Sequence, residues 1–328
     1  MNSPKLTVVV PIYNVSQFLR QCIDSILNQT MEDLEIILVN DESPDPEDHV
    51  ICQEYAEKNE HVSYIKHEVN KGLGGARNTG LFAAKAPYIA FIDSDDWLEP
   101  TMFEELYRAA IKKDADIAQC YFYQQQEGKT RVQRLKAFRH QADEMNAINV
   151  LAWNKVYKTR LYLDNNILYP EKIASQDVAT MTRLLYFVDR VALVRKPLYN
   201  YRINRKGSLT SKYAKLLTDL PVVFQIIEDF LKEQGRLESD RIFLEKRVMH
   251  SVNHHLARFQ KDTSMSQEEK DALIREKLQD STRFLSLPGK EKLTDLNTAL
   301  KHLRAYKRKV EFKIFLKEIA FLLTKPFR

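Results

Sequence analysis

Tyr88-Ile-Ala-Phe-Ile-Asp-Ser-Asp-Asp96 runs from an apolar segment straight into three carboxylates. Residues 88–92 have the composition of a buried strand. Asp93, Asp95 and Asp96 then arrive within four positions. On an extended chain, alternation puts Asp93 and Asp95 on one side and Ser94 on the other. Like charges that close repel unless a cation lies between them. Oxygen-only ligands suit Mg2+ or Mn2+, which fill their other positions with water and phosphate. A metal–diphosphate site at the carboxyl end of a strand is therefore expected. The competing reading is helix capping, since Glu99-Pro100-Thr101 resembles a first helical turn. Capping accounts for Asp96 but not for three acids at one spot.

Working outward, the segment before these acids alternates regularly. Leu6–Ile12, Leu34–Val39 and Val62–His67 are short apolar runs. Between them lie helical stretches, the first with Phe18, Leu19, Cys22, Ile23, Ile26 and Leu27 at helical spacing. Residues 75–85 read as a small-residue helix packed closely on a sheet. The order β-α-β-α-β-α-β over 5–96 predicts a Rossmann-like α/β fold, a mostly parallel sheet with helices on both faces. Ligands in such sheets bind beyond the carboxyl ends of the strands. Tyr13, Asp41, Arg77 and Asp93/Asp95 all fall at or after those ends. Tyr13 reads equally as a packing aromatic, and Asp41 as an Asx turn before Pro44. Downstream, 124–150 is polar with a hairpin or loop character, and 178–188 reads as a helix. Two short strands, 191–195 and 198–202, follow. Helical periodicity dominates from about 212.

The chain has 328 residues, which predicts one large domain plus an appendage, or two domains. A charged fraction of 29% and a net charge of +5 are ordinary for a soluble protein and do not call for a nucleic-acid partner. Three cysteines without a CxxC argue against a disulfide framework or a zinc site. The chain opens almost directly on a strand, so no signal peptide is expected. No apolar run approaches the roughly 18–20 residues that span a bilayer.

The runs VVVPIYN (8–14), ILVNDES (37–43), NKGLGGARNTG (70–80), FIDSDDW (91–97), WNKVYK (153–158), QDV (176–178) and LYNYRINRKGSLT (198–210) occur in that order. Together they resemble the family 2 glycosyltransferases of GT-A fold, notably bacterial enzymes that build surface polysaccharides. The resemblance covers residues 5–210 and implies a nucleotide-sugar-binding catalytic domain over 1–210. It implies transfer of a sugar from a UDP-sugar to a glycan or lipid-linked glycan, with inversion and with Mn2+ or Mg2+. Pro11 and Tyr13 would flank the uracil, Asp41 would accept its imide N–H, and Arg77 would reach the base or phosphate. Asp95 would bind the metal. Asp93 would share it or take the ribose, with Ser94 also on the donor side. Trp153, Lys155 and Gln176 would lie near the acceptor or the sugar, and Arg205 with Ser208 in a loop closing over the diphosphate. The general base falls to Asp177. Where the family has a Glu-Asp pair this chain has Gln176-Asp177, and its usual Asp-Asp-Gly-Ser is Asn40-Asp41-Glu42-Ser43.

Residues 211–328 lie outside the resemblance. Phe312, Phe315, Leu316, Ile319, Leu322 and Leu323 form one helical face flanked by Arg308, Lys309, Lys313 and Lys317. A basic amphipathic helix over 310–328 reads either as an element lying on the inner membrane surface or as one docking on its own domain or a second subunit of a homodimer. A cytoplasmic protein, peripheral on the membrane in the first case, is expected. Two rivals remain. A non-catalytic sugar-nucleotide or glycan binder would explain the missing Glu. An NAD(P)-dependent oxidoreductase would use Gly72-Leu-Gly74, although Arg77 stands at the third glycine position of that fingerprint.

Overall fold

The structure, a computed structural model, describes residues 3–126, 129–135, 149–203, 213–287, 293 and 295–324. The chain divides into two compact units, Met1–Arg205 and Lys206–Arg328.

In the first unit, strands β1 (Leu6–Ile12), β2 (Leu34–Asn40), β3 (Val62–Lys66) and β4 (Tyr88–Phe91) alternate with helices α1 (Ser16–Leu27), α2 (Pro46–Lys58) and α3 (Gly72–Ala83). These four strands pair in parallel in the order β3-β2-β1-β4. Then come β5 (Trp97–Leu98), α4 (Met102–Lys113), β6 (Ile117–Gln126), β7 (Lys129–Gln133), β8 (Lys155–Lys158), α5 (Thr159–Leu163), α6 (Gln176–Leu184) and β9 (Val191–Arg202). The sheet continues as β4-β8-β6-β9-β5, with β7 on β6. β8 runs antiparallel to both β4 and β6, so the sheet is mixed beyond β4. The hairpin expected in 124–150 is β6–β7. The two strands expected at 191–202 are one, with register shifts opposite Cys120–Phe122 where Pro197 interrupts it.

Strand alternation sorts the core onto two faces. Leu6, Val8, Val10 and Ile12 meet α1, α2 and α4 on one side. Val9, Ile37, Val39 and Phe91 meet α3, α5 and α6 on the other. Both faces of β1 are covered, so all of its residues are buried. α1 turns Leu19, Cys22, Ile23 and Ile26 inward at the predicted spacing. α2 starts at Pro46 with Asp45 as its cap, the carboxylate accepting the Glu47 N–H. All three cysteines are buried and free.

α3 lies unusually close to β1. A Cβ on Gly80 would sit 2.2 Å from Val9 Cγ1. Small residues along this helix are thus a packing requirement of the sheet beneath them.

In the second unit, α7 (Tyr213–Glu233), α8 (Leu237–Phe259), α9 (Gln267–Thr282) and α10 (Leu296–Thr324) follow one another. α9 opens on a Ser266/Glu269 capping box. The buried Glu245 carboxylate accepts from Ser286 and from the Tyr306 hydroxyl. No helix among the described residues is long and apolar enough to cross a membrane. The backbone is helical to Thr324, but the side chains from 314 onward, which carry most of the expected amphipathic face, lie outside the described residues.

Gly80→Ala is expected to destabilise the protein by about 2 kcal/mol, because β1 is fixed by partners on both edges and must be overpacked. A urea-unfolding midpoint equal to that of the parent would refute the close-approach account.

Candidate functional site

The loops after β1 and β2 are tied together. The Asn14 N–H donates to Ser43 Oγ at 2.9 Å and the Val15 N–H to Asp48 at 3.1 Å. Ser43 Oγ in turn donates to Asp48 Oδ2 at 2.7 Å. The Asx turn expected at Asp41 belongs to Asn40, whose Oδ1 accepts the Ser43 N–H. Glu42 takes a left-handed φ of 56° at the position where the family has glycine. The loop therefore keeps its shape at the cost of some backbone strain. Tyr13 is 50% exposed at the mouth of this loop, free to meet a ligand. Pro11 is a correction to the sequence reading. It is buried within β1, opposite Val39. Its missing N–H falls on the side of β4, whose ladder has just ended with Ile92 N–H on Val9 C=O. The ring is part of the sheet.

Asp41, one residue past β2, is anchored on several sides. Its Oδ1 accepts from the Lys71 N–H at 2.8 Å and lies 2.7 Å from His67 Nδ1. Its C=O accepts from the Asn70 side chain. His67 Nε2 reaches Thr79 Oγ1 of α3 at 2.8 Å. Sequence reading had no local signal for His67, because its partners come from two other segments.

The acids after β4 are not on an extended chain. The Asp96 N–H donates to the Asp93 C=O at 3.1 Å, so 93–96 is a turn and the alternation argument does not apply. Asp93 and Asp95 are half-buried, whereas Ser94 and Asp96 are buried. Asp96 is not a helix cap. Its carboxylate accepts the Tyr199 hydroxyl at 2.6 Å and the Arg202 N–H at 2.7 Å, while Thr101 occupies the N-cap of α4. Burial, and then Asp95 and Asp93, push its pKa well above the ordinary value. Arg202 also donates to the Asp95 C=O and to Gln21, and lies over the Phe18 and Trp97 rings. It is a rivet for the acid turn, a role invisible in a run that reads simply as basic.

Arg77 is 2% exposed and donates to Asp93 Oδ1 at 2.6 Å. Its guanidinium lies over the Tyr169 ring. Burial works against its charge, but Asp93, Tyr169 and Asp177 together raise its pKa. Arg77 thus brings Asp93 and Asp177 into one electrostatic group. The side chain, expected to reach a base or phosphate, is interior and pairs with Asp93.

Asp177 sits in the first turn of α6, its Oδ1 accepting the Val178 N–H at 3.0 Å. Ser175, in the left-handed conformation, holds the N-cap position, so capping does not account for Asp177. Desolvation raises the Asp177 pKa against the lowering pull of Arg77. Gln176 is buried, and its Oε1 has no hydrogen-bond partner among the described residues. The chain leading to α6 is held by α3. The Asn78 side-chain amide donates to the Tyr169 C=O, and its Oδ1 accepts the Tyr169 N–H.

Two further expectations are corrected. Trp153 is 4% exposed and stacks on Tyr199 and Tyr201, backing the tyrosine that holds Asp96. Lys155 is fully buried, and its ammonium donates to Asn149, the Leu151 C=O and Asn154. It ties its own loop rather than an acceptor. Arg205 and Ser208 lie outside the described residues.

Among the described residues no group of three or more His, Cys, Asp or Glu side chains converges on one point. Asp93 and Asp95 are nevertheless two part-exposed residues whose carboxylates offer oxygen-only ligands. That set fits a hard cation taking its other ligands from water and a diphosphate. The buried Asp96 does not face that role.

Comparison with known proteins adds three findings. Residues 7–180 match the sequence profile described as Glycosyl transferase family 2. The chain is 36% identical over 236 residues to the glycosyltransferase GlyA of Streptococcus pneumoniae, covering 66% of this chain but only 33% of that relative. It is 33% identical over 255 residues to EpsH of Bacillus subtilis, covering 74% and 73% of the two chains. Among solved structures, S. aureus TarS in complex with UDP superposes with a TM-score of 0.64 at 18% identity, over 99% of this chain and 93% of that one. TarS has also been crystallised with UDP-GlcNAc. The structural likeness establishes the GT-A fold.

The buried Lys155 generates a pH prediction. Burial lowers its pKa from 10.5 to about 7, against smaller raising effects of Cys120 and Asp177. Between those values the unfolded chain binds more protons than the folded one, so stability rises with pH across the window. Subtracting the unfolding free energy of Lys155→Met from that of the parent isolates this contribution. The difference is expected to grow from neutral pH towards pH 10. Parallel curves in urea unfolding would rule it out.

Proposed function

The chain belongs to glycosyl transferase family 2, and on that footing we propose that it moves a sugar from a UDP-sugar to a hydroxyl of a glycan or lipid-linked glycan in surface-polysaccharide synthesis. The observation that carries this reading is the grouping of Asp93, Arg77 and Asp177, which places the acid turn beside a carboxylate at a helix mouth. The nucleotide complexes of TarS and the likeness to the glycosyltransferase GlyA support it.

Tyr13 covers one face of the uracil, and Asp41 accepts the imide N–H on its Oδ2, which has no partner among the described residues. Asp95, with Asp93, would hold Mn2+ or Mg2+. The ion, when bound, neutralises the charge that gathers on the leaving group. Arg77 keeps Asp93 in place from behind. Asp177 takes the proton of the acceptor hydroxyl as its oxygen attacks the anomeric carbon. The bond from that carbon to the diphosphate breaks on the opposite side, UDP leaves with the electron pair, and the configuration inverts. A carboxylate with a desolvation-raised pKa is a better base than an exposed one. Gln176 adds no negative charge beside it, so burial supplies the upward shift that a neighbouring Glu would otherwise reinforce.

Gln176 also motivates the second reading, a binder that keeps the fold without turnover. The two separate as follows. Asp95→Ala is expected to weaken manganese-dependent UDP binding by about tenfold or more in isothermal titration. Asp177→Asn should leave UDP affinity within about twofold while lowering transfer by about a thousandfold. Metal-dependent UDP binding with no turnover of UDP-sugars on any acceptor favours the binder. Normal transfer by Asp177→Asn removes the base assignment.

A further inference from the structure

We propose that His67 is a positioning residue for the nucleotide base, acting through Asp41. This inference rests on the UDP-site reading above and assigns the group that aims its carboxylate.

His67 and Asp41 side chains are 5% and 4% exposed, so both lie at the protein side of the site. A carboxylate can only accept, so the 2.7 Å contact to Asp41 Oδ1 fixes the proton on Nδ1. Nε2 lies 2.8 Å from the Thr79 hydroxyl, which can donate to the ring or accept from it and so holds the second nitrogen in either form. The ring is held at both nitrogens, and the backbone N–H of His67 donates to the Asn40 C=O at 2.9 Å. Asp41 Oδ1 meanwhile takes a second donor, the Lys71 N–H at 2.8 Å.

The consequence is a carboxylate with two unlike oxygens. Oδ1 is saturated by two N–H donors from the protein. Oδ2 has no partner among the described residues and is not sealed from solvent. Rotation about the Asp41 side chain would break both Oδ1 contacts, so Oδ2 stays pointed where an incoming N–H must arrive. α3, through Thr79, sets the angle of the imidazole. The same helix carries Arg77, so the base-reading and acid-turn parts of the site share one rigid support.

Side-chain geometry gives a discriminating test. An asparagine amide nitrogen can stand where Nδ1 stands, whereas a glutamine amide reaches the Nε2 position. His67→Asn therefore keeps the Asp41 contact and loses Thr79. His67→Gln keeps Thr79 and loses Asp41. Full-length parent and variants are titrated with UDP in the presence of Mn2+, with melting temperatures measured alongside. His67→Asn is expected to bind UDP within about threefold of the parent, and His67→Gln about tenfold more weakly. In transfer assays the loss in His67→Gln should appear in the KM for the donor, with kcat nearly unchanged. In an Asp41→Asn background, His67→Gln should cause no further loss of UDP affinity.

Equal weakening in the Asn and Gln variants assigns His67 a merely structural role and overturns the proposal, as does full UDP affinity in His67→Gln. A further loss of affinity in the Asp41→Asn background also overturns it. A parent protein that does not bind UDP at all removes the UDP-site reading itself, and the proposal with it.

Discussion

A guanidinium held almost wholly out of water is the constraint on which the catalytic unit depends. Moving a charge into protein costs several kcal/mol unless partners repay it. Arg77 has Asp93 at 2.6 Å, the face of Tyr169 and the field of Asp177. Its Nε is left without a partner among the described residues, so the pairing is incomplete and the charge needs both acids. The surrounding structure serves to hold those partners. Asn78, the residue next to the arginine, clamps the Tyr169 backbone. Tyr169 then packs edge-on to Phe91, the last residue of β4. A single cation thereby joins the end of a central strand to the mouth of α6.

The acid turn has a second support on its other flank. Tyr199 and Arg202 of β9 hold Asp96, and Trp153 stacks behind Tyr199. Residues from α3 and β9 therefore fix the turn: Asp93 faces Arg77, Asp95 is half-open to solvent, and Asp96 is sealed against β9. The first two can serve ligand chemistry because the third carries the structural load.

Much of this was legible in the sequence, for physical reasons. Buried parallel strands must be apolar on both faces, so β1, β2 and β4 announce themselves as short continuous runs, and α1 by its 3.6-residue period. The ordered motifs named the family. What stayed hidden depends on contacts between distant segments. Local pattern cannot tell an extended Asp93-Ser94-Asp95 from a turn, because the deciding bond is a single backbone contact. Trp153 and Lys155 sit in a familiar motif, yet burial turned one into a stacking partner and the other into a loop tie. His67 has no signature of its own, since it matters only where β2, β3 and α3 meet. Glu42, standing where the family has glycine, adopts a left-handed conformation that no local pattern announces.

The thiol of Cys22 lies beneath the acid turn, within 3.7 Å of the Asp93 carbonyl. Burial first, and the three neighbouring carboxylates after it, push its pKa well above 9. Such a sulfur is silent to alkylating reagents while the native packing holds. Its modification rate consequently measures how often the floor of the crevice opens, a built-in clock for local breathing that needs no engineered probe.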